Sequence, residues 1–250
     1  VHSLDLSRCN NITDLSALGG VHSLNLSNCS SVTDVSALGG VHTLNLCGCS
    51  GITDVSALGS LHSLNLSRCN NITDLSALGG VHTLDLSGCS GITDVSALGG
   101  VHSLNLSICT NITDVSALGG VHTLDLSRCL ITDVSTLGGV HTLDLSRCPI
   151  TDVSTLGGVH TLDLSRCPIT DVSTLGGVHT LNLSRCYNIT DVSTLGGVNS
   201  LDLSNCPITD VSTLGGVHTL NLSGCSRITD VSALGGVVTL NLSGCYNITD

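Results

Sequence analysis

A unit of 19 or 20 residues, VHTLDLSRCPITDVSTLGG at 140–158, recurs from one end of the chain to the other. Self-similarity at so short a period constrains the fold more than any other feature, because each unit can bury its apolar side chains only against another copy of itself. Units open at Val1, Val21, Val41, Leu61, Val81, Val101, Val121, Val140, Val159, Val178, Val198, Val217 and Val237, and the last is incomplete. The shorter units differ at one place. Between Cys and Ile they carry a single residue, Leu130, Pro149, Pro168 or Pro207, where the longer ones carry two, such as Asn10 and Asn11. A length change confined to one point marks a turn that tolerates insertion.

Within the unit at 140–158 the apolar positions are Val140, Leu143, Leu145, Cys148, Ile150, Val153 and Leu156. Leu143-Asp144-Leu145 alternates with period two and predicts a short half-buried strand. No 3.6-residue periodicity is sustained long enough for a helix. Thr151 or Asp152 is placed to cap a single helical turn over 153–155, and Gly157-Gly158 to reverse the chain through permissive dihedrals. Successive strands then pair in parallel about 4.8 Å apart, so thirteen turns of the coil extend about 60 Å. Phe, Trp and Met are absent and Tyr187 and Tyr246 are the only aromatic residues, so the core is aliphatic.

The pattern LxxLxLxxC followed by ITD resembles the leucine-rich repeat and spans the whole chain. Cys with ITD behind it is similar to the cysteine-containing type of F-box proteins, whereas ITDVSTL and ITDLSAL resemble the internalin type. Trypanosome repeat proteins combine the two. The resemblance implies one right-handed solenoid over 1–250 with a parallel sheet on one side and a protein-recognition role without catalysis. These units are shorter than is usual in either type, with Gly-Gly in place of a longer outer segment. The opposite side should therefore hold short turns or 3-10 segments, little or no α-helix, and the coil should curve weakly.

Every exposed position becomes a row of like side chains. The candidate interaction face comprises His122, Thr123, Asp125 and Arg128, then His141, Thr142, Asp144 and Arg147, then His160, Thr161, Asp163 and Arg166. Three successive carboxylates, Asp125, Asp144 and Asp163, would repel one another, and the arginines three residues on are expected to offset this. Calcium ligation by that row is disfavoured, because a flat sheet offers oxygens from one direction only. A second aspartate row, Asp14 through Asp250, reads as caps of local turns. No carboxylate pair differs from the rest, so neither a catalytic residue nor a cofactor or metal site is assigned.

The cysteine row is expected to hold buried, reduced thiols, since parallel side chains about 4.8 Å apart do not suit a disulfide. Cys47 occupies an outward position and is the candidate reactive thiol. Eleven histidines would carry the formal net charge from −12 towards neutrality on protonation, which favours association at acid pH. The same −12 argues against nucleic acid and anionic membrane surfaces as partners. Polar residues interrupt every apolar run well before the length of a membrane span.

Several sequons, among them Asn25-Leu-Ser27 on the strand and Asn188-Ile-Thr190 at the turn, lie where glycans would disturb stacking. With unpaired thiols, they favour a reducing interior or a host that does not glycosylate. The chain lacks Met and begins within a repeat, which reads as a piece of something longer or a processed product. It carries no polar cap at either end, so either flanking caps are missing or the rods stack end to end.

The functional expectation is a non-enzymatic scaffold that binds a protein, or itself end to end, through the uniform strand face or the uncapped ends. The alternative is a structural rod that stacks into filaments. A third reading, binding of a periodic surface such as ice, mineral or polysaccharide through Thr123, Thr142 and Thr161, is opposed by the charge of the neighbouring aspartates.

Overall fold

The computed structural model describes residues 1–249 and divides into two units, Val1–Leu130 and Ile131–Asp250. The last position of the second aspartate row, Asp250, lies outside the described residues. In the first unit seven strands follow one another: β1 (Ser3–Asp5), β2 (Ser23–Asn25), β3 (Thr43–Asn45), β4 (Ser63–Asn65), β5 (Thr83–Asp85), β6 (Ser103–Asn105) and β7 (Thr123–Asp125). The second holds β8 (Thr142–Asp144), β9 (Thr161–Asp163), β10 (Thr180–Asn182), β11 (Ser200–Asp202), β12 (Thr219–Asn221) and β13 (Thr239–Asn241). Within each unit the strands pair in parallel in chain order, with equivalent repeat positions opposite one another, as in Thr142 to Thr161 and Asp144 to Asp163. Each strand is only three residues long because Leu143 and Leu145 alone must face inward before the chain turns.

All seven apolar positions read from the sequence are buried. In the repeat opening at Val140 they are at most 3% exposed. The cysteine belongs to this core and adds a polar link. The Cys167 thiol donates to the Leu145 carbonyl at 3.1 Å and the Cys186 thiol to that of Leu164 at 3.2 Å, and Cys49, Cys69, Cys89 and Cys109 do the same in the first unit. The carbonyl past the strand end, which already accepts the amide three residues on, as Leu164 does from Cys167 at 3.1 Å, thus gains a second donor on a side chain small enough to fit.

The far side of every repeat from the second to the twelfth is a 3-10 turn, as in Ser96–Gly100 or Leu156–Gly158, the first repeat makes plain turns there, and no α-helix occurs among the described residues. Two expectations about this turn are corrected. The helical segment of the repeat at 140–158 lies at Leu156–Gly158 rather than over 153–155. Gly-Gly is also not a left-handed reversal: Gly39, for example, has φ −60°. Glycine is required there for space, because a Cβ on Gly157 would lie 2.4 Å from the Thr174 carbonyl oxygen of the next repeat.

The left-handed residue sits elsewhere, three positions after the last strand residue. Arg8, Asn28, Gly48, Arg68, Gly88, Ile108, Arg128, Arg147, Arg166, Arg185, Asn205, Gly224 and Gly244 all have positive φ. That conformation turns the chain sharply so that the following cysteine points back into the core.

Candidate functional site: the strand face and its bordering rows

His, Thr or Ser, and Asp or Asn project from the strand side of each repeat. In the first unit His122 is exposed, Thr123 and Asp125 are half-buried on β7, and Arg128 is exposed beyond it. In the second unit His141, Thr142, Asp144 and Arg147, and then His160, Thr161, Asp163 and Arg166, repeat that arrangement in adjacent strands. The structure therefore brings each unit's set of predicted face residues onto one side.

The Asp/Asn row is organised differently from the expectation. Each side chain closes a local turn by accepting from the backbone amide two residues on: Asp125 from Ser127 at 2.8 Å, Asp163 from Ser165 at 2.7 Å and Asn182 from Ser184 at 3.0 Å. The second oxygen of Asp163 accepts from the Asn182 side-chain amide at 2.8 Å, and Asp202 accepts likewise from Asn221 at 2.9 Å. Backbone amides engage these carboxylates, and a carboxamide separates the charges where Asp163 meets Asn182 and Asp202 meets Asn221, whereas Asp144 and Asp163 stand side by side. Arg166 and Arg185 form no ion pair among the described residues.

The second aspartate row behaves in parallel. Asp94, Asp152, Asp171 and Asp210 accept from the amides of Ser96, Ser154, Ser173 and Ser212 at 2.8 to 2.9 Å. The serine amide, then its hydroxyl, hold each of these carboxyls below the usual aspartate range. They stay ionised at neutral pH. Shallow hollows of about 90 to 350 Å³ lie between neighbouring aspartates, one lined by Thr93, Asp94, Ser96, Asp114, Ser116 and Ala117 and another by the equivalent Thr73, Asp74, Ser76 and Asp94. Being copies of one another, they lack the singular, enclosed character of a catalytic site.

Sequence reasoning placed the histidines in one row but missed that their rings touch. In the first unit the imidazoles from His2 to His122 follow one another at centroid distances of 4.5 to 4.8 Å, most of them stacked, and in the second His141, His160 and His179 do so at 4.6 to 4.7 Å. The signal was available: a side chain at the same strand register recurs at the strand spacing, which is close to the contact distance of two rings. Loss of hydration, then the charge of the flanking imidazoles, pushes His22 and His102 below the usual histidine value of 6.5.

A folded-state pKa below the unfolded value means that the unfolded chain takes up these protons first, so stability falls as the pH falls through about 6.5. The aspartates have the same sign in a lower window, with their stabilisation lost as the pH drops below 3.8. Thermal melts should accordingly show a first decline in Tm between about pH 7.5 and 5. His102→Asn, which borrows the residue at Asn199, should reduce it. A flat or rising Tm over that interval would refute the account.

The thiols divide cleanly. Burial pushes Cys69, Cys89 and Cys206 up to about 12 and Cys49, Cys109, Cys186 and Cys225 up to about 11, with Cys167 raised further still. Cys9 is exposed and Cys47 half-buried. Titration of the native chain with an aromatic disulfide reagent should register Cys9 and Cys47 rapidly, Cys245 slowly, and all 14 thiols only after denaturation. Rapid reaction of the core thiols in native protein would contradict the packing.

Among the described residues no three His, Cys or Asp side chains converge to hold a metal ion, and no helix is long and apolar enough to cross a membrane.

Comparison with known proteins agrees with this architecture. A leucine-rich-repeat family model matches residues 60–78. An internalin, InlF of Listeria monocytogenes, superposes with a TM-score of 0.75 over 100% of this chain and 86% of its own, at 22% identity. The functional domain of InlJ from the same organism, whose structure is described as including a cysteine ladder, gives 0.62 at 25% identity over 93% of this chain. This chain spans 56% of that one. The receptor in a TLR13–ssRNA13 complex gives 0.56 at 20% identity, over 97% of this chain and 49% of its own. A search of curated protein sequences finds no match. A repeating LxxLxLxxC core, short parallel strands and 3-10 turns, with these neighbours, give the chain the leucine-rich-repeat fold, and its residues 60–78 are similar to the leucine-rich-repeat family itself.

Proposed function

We propose that the chain is a non-enzymatic scaffold whose strand face holds a protein partner. The observation that carries the reading is the register of that face. Thr142 stands opposite Thr161 and Asp144 opposite Asp163, so His, Thr and Asp or Asn side chains form rigid rows whose backbone is already hydrogen-bonded. A surface ordered before binding loses little entropy on association. The candidate contacts are His122, Thr123, Asp125 and Arg128 in the first unit and His141, Thr142, Asp144, Arg147, His160, Thr161, Asp163 and Arg166 in the second. The RNA in the TLR13 complex does not transfer to this chain, because a net charge of −12 opposes phosphate.

A photo-crosslinking side chain at Thr161, and for comparison at Ser173 on the turn side, tests the reading in cells that produce the protein. Adducts to a discrete partner other than a second copy of this chain are expected from position 161 but not 173. Equal labelling of such a partner from both positions would sink it. Filaments of the purified chain in the electron microscope, without any adduct, would replace it with end-to-end assembly.

A further inference from the structure

Arginine is confined almost wholly to one place in this molecule. Six of its seven basic residues, Arg8, Arg68, Arg128, Arg147, Arg166 and Arg185, occupy the left-handed position after the strand, at φ between 60° and 63°. Glycine meets that geometry without steric opposition and asparagine tolerates it, whereas a long side chain does not favour it. Other repeats of the same chain make the conventional choice with Gly48, Gly88, Gly224 and Gly244. A less suitable residue retained at the same conformation points to work done by its side chain.

Three further observations from the second unit say what that work is. Arg166 and Arg185 are exposed and form no ion pair among the described residues, while the nearby Asp163 carboxylate is engaged by an amide and by Asn182. Two residues beyond the arginines, the surface turns apolar: Pro149 and Pro168 are exposed and Tyr187 is 67% exposed, where other repeats carry Asn10, Ser30 or Ser90. On another corner of every repeat stands an exposed aspartate, from Asp14 to Asp230 among the described residues, with one oxygen on a serine amide. Both rows advance by one charge per repeat.

We propose that Arg166 and Arg185, flanked by Pro168 and Tyr187, form a lateral docking surface for the aspartate row of a second copy of this chain. The proposal rests on the reading of the chain as an interaction scaffold and names one of its partners. Charge complementarity selects an anionic occupant, and the shared repeat selects this one. An acidic peptide must be ordered on binding, whereas the aspartate row is already fixed by its turns at one carboxylate per repeat. Exposed ion pairs are individually weak and screened by salt, so the association is salt-sensitive and depends on several pairs forming together.

Sedimentation velocity of the purified full chain tests this at about 20 mM and about 500 mM salt, where screening lengths differ several-fold. Concentration-dependent association is expected at the lower salt and monomer at the higher. Arg166→Gly with Arg185→Gly should abolish association while leaving the melting temperature unchanged or higher, because Gly48 already occupies that conformation. Asparagine at all twelve positions of the aspartate row from Asp14 to Asp230 should also abolish it while keeping the turns, since Asn25 closes the same kind of turn on Ser27. A mixture of the two variants should associate again, because each retains the row the other lacks. Monomer at both salts, association that survives the Arg→Gly pair, or a mixture that stays monomeric would overturn the proposal. Partner adducts from position 161 alongside a monomeric purified chain would leave the scaffold reading standing and remove only this one.

Discussion

Leu164→Ala should destabilise the second unit by about 2 to 5 kcal/mol, the range for deleting a fully enclosed leucine where the surroundings close poorly over the gap. Leu164 is 0% exposed. Its amide donates to the Asn182 carbonyl at 2.9 Å and its carbonyl accepts the Cys186 thiol at 3.2 Å, so its backbone is tied to the next repeat and cannot follow the missing side chain inward. The neighbours that could fill the space, Leu145 and Leu183, are held by the same bonds in their own repeats and are themselves 0% exposed. In a linear stack each repeat is stabilised by its two flanking interfaces, and a defect in one weakens both. Urea denaturation followed by circular dichroism checks this, with Thr161→Ala on the strand face as a control expected within about 0.5 kcal/mol of the parent. Equal midpoints for the two variants would show that the core is not where stability resides.

Position 164 also illustrates how much of the fold could be read without coordinates. Seven apolar residues per repeat, the two-residue alternation around Asp144 and the absence of helical periodicity were enough to place strand and core, because repetition gives each inference many independent copies. What escaped were properties that depend on the next repeat or on the sign of a dihedral. Arg147 does not announce a positive φ, although Gly48 and Asn28 at the equivalent positions do. Gly157-Gly158 looks like a reversal because two glycines permit one, and their actual role depends on an oxygen of Thr174 that no local pattern contains. Ring contact between His160 and His179 follows from strand register rather than from either residue.

The candidate site was legible as rows and no further. Thr142 and Thr161 occupy the same repeat position in successive units, so nothing local ranks one above the other. Only departures from the repeat, such as Tyr187 and the run of arginines, carry position-specific information.

Gly157→Ala should destabilise the chain by about 1 to 3 kcal/mol, the usual range for forcing atoms into a filled interior. The added methyl would meet the Thr174 carbonyl oxygen at 2.4 Å and its carbon at 3.4 Å. Both are backbone atoms of the following repeat, so relief requires the two turns to separate rather than one side chain to rotate. Gly176 repeats the arrangement against Thr194 at 2.4 Å, and the double variant should lose close to the sum if the two interfaces act separately. Gly158→Ala is the graded control, with the Gly138 carbonyl at 3.2 Å, and a smaller loss is expected. Gly235 decides the cause. It holds the same repeat position in a 3-10 turn, Ser232–Gly236, but no described atom lies within 4 Å of the place a Cβ would take there. Alanine at 235 removes unfolded-state freedom without a collision and should be neutral or stabilising by about 0.4 to 1 kcal/mol. Opposite signs at two equivalent glycines, read from thermal melts, would assign the Gly-Gly step to contact between repeats; losses of equal size at both would return it to a dihedral requirement of the turn itself.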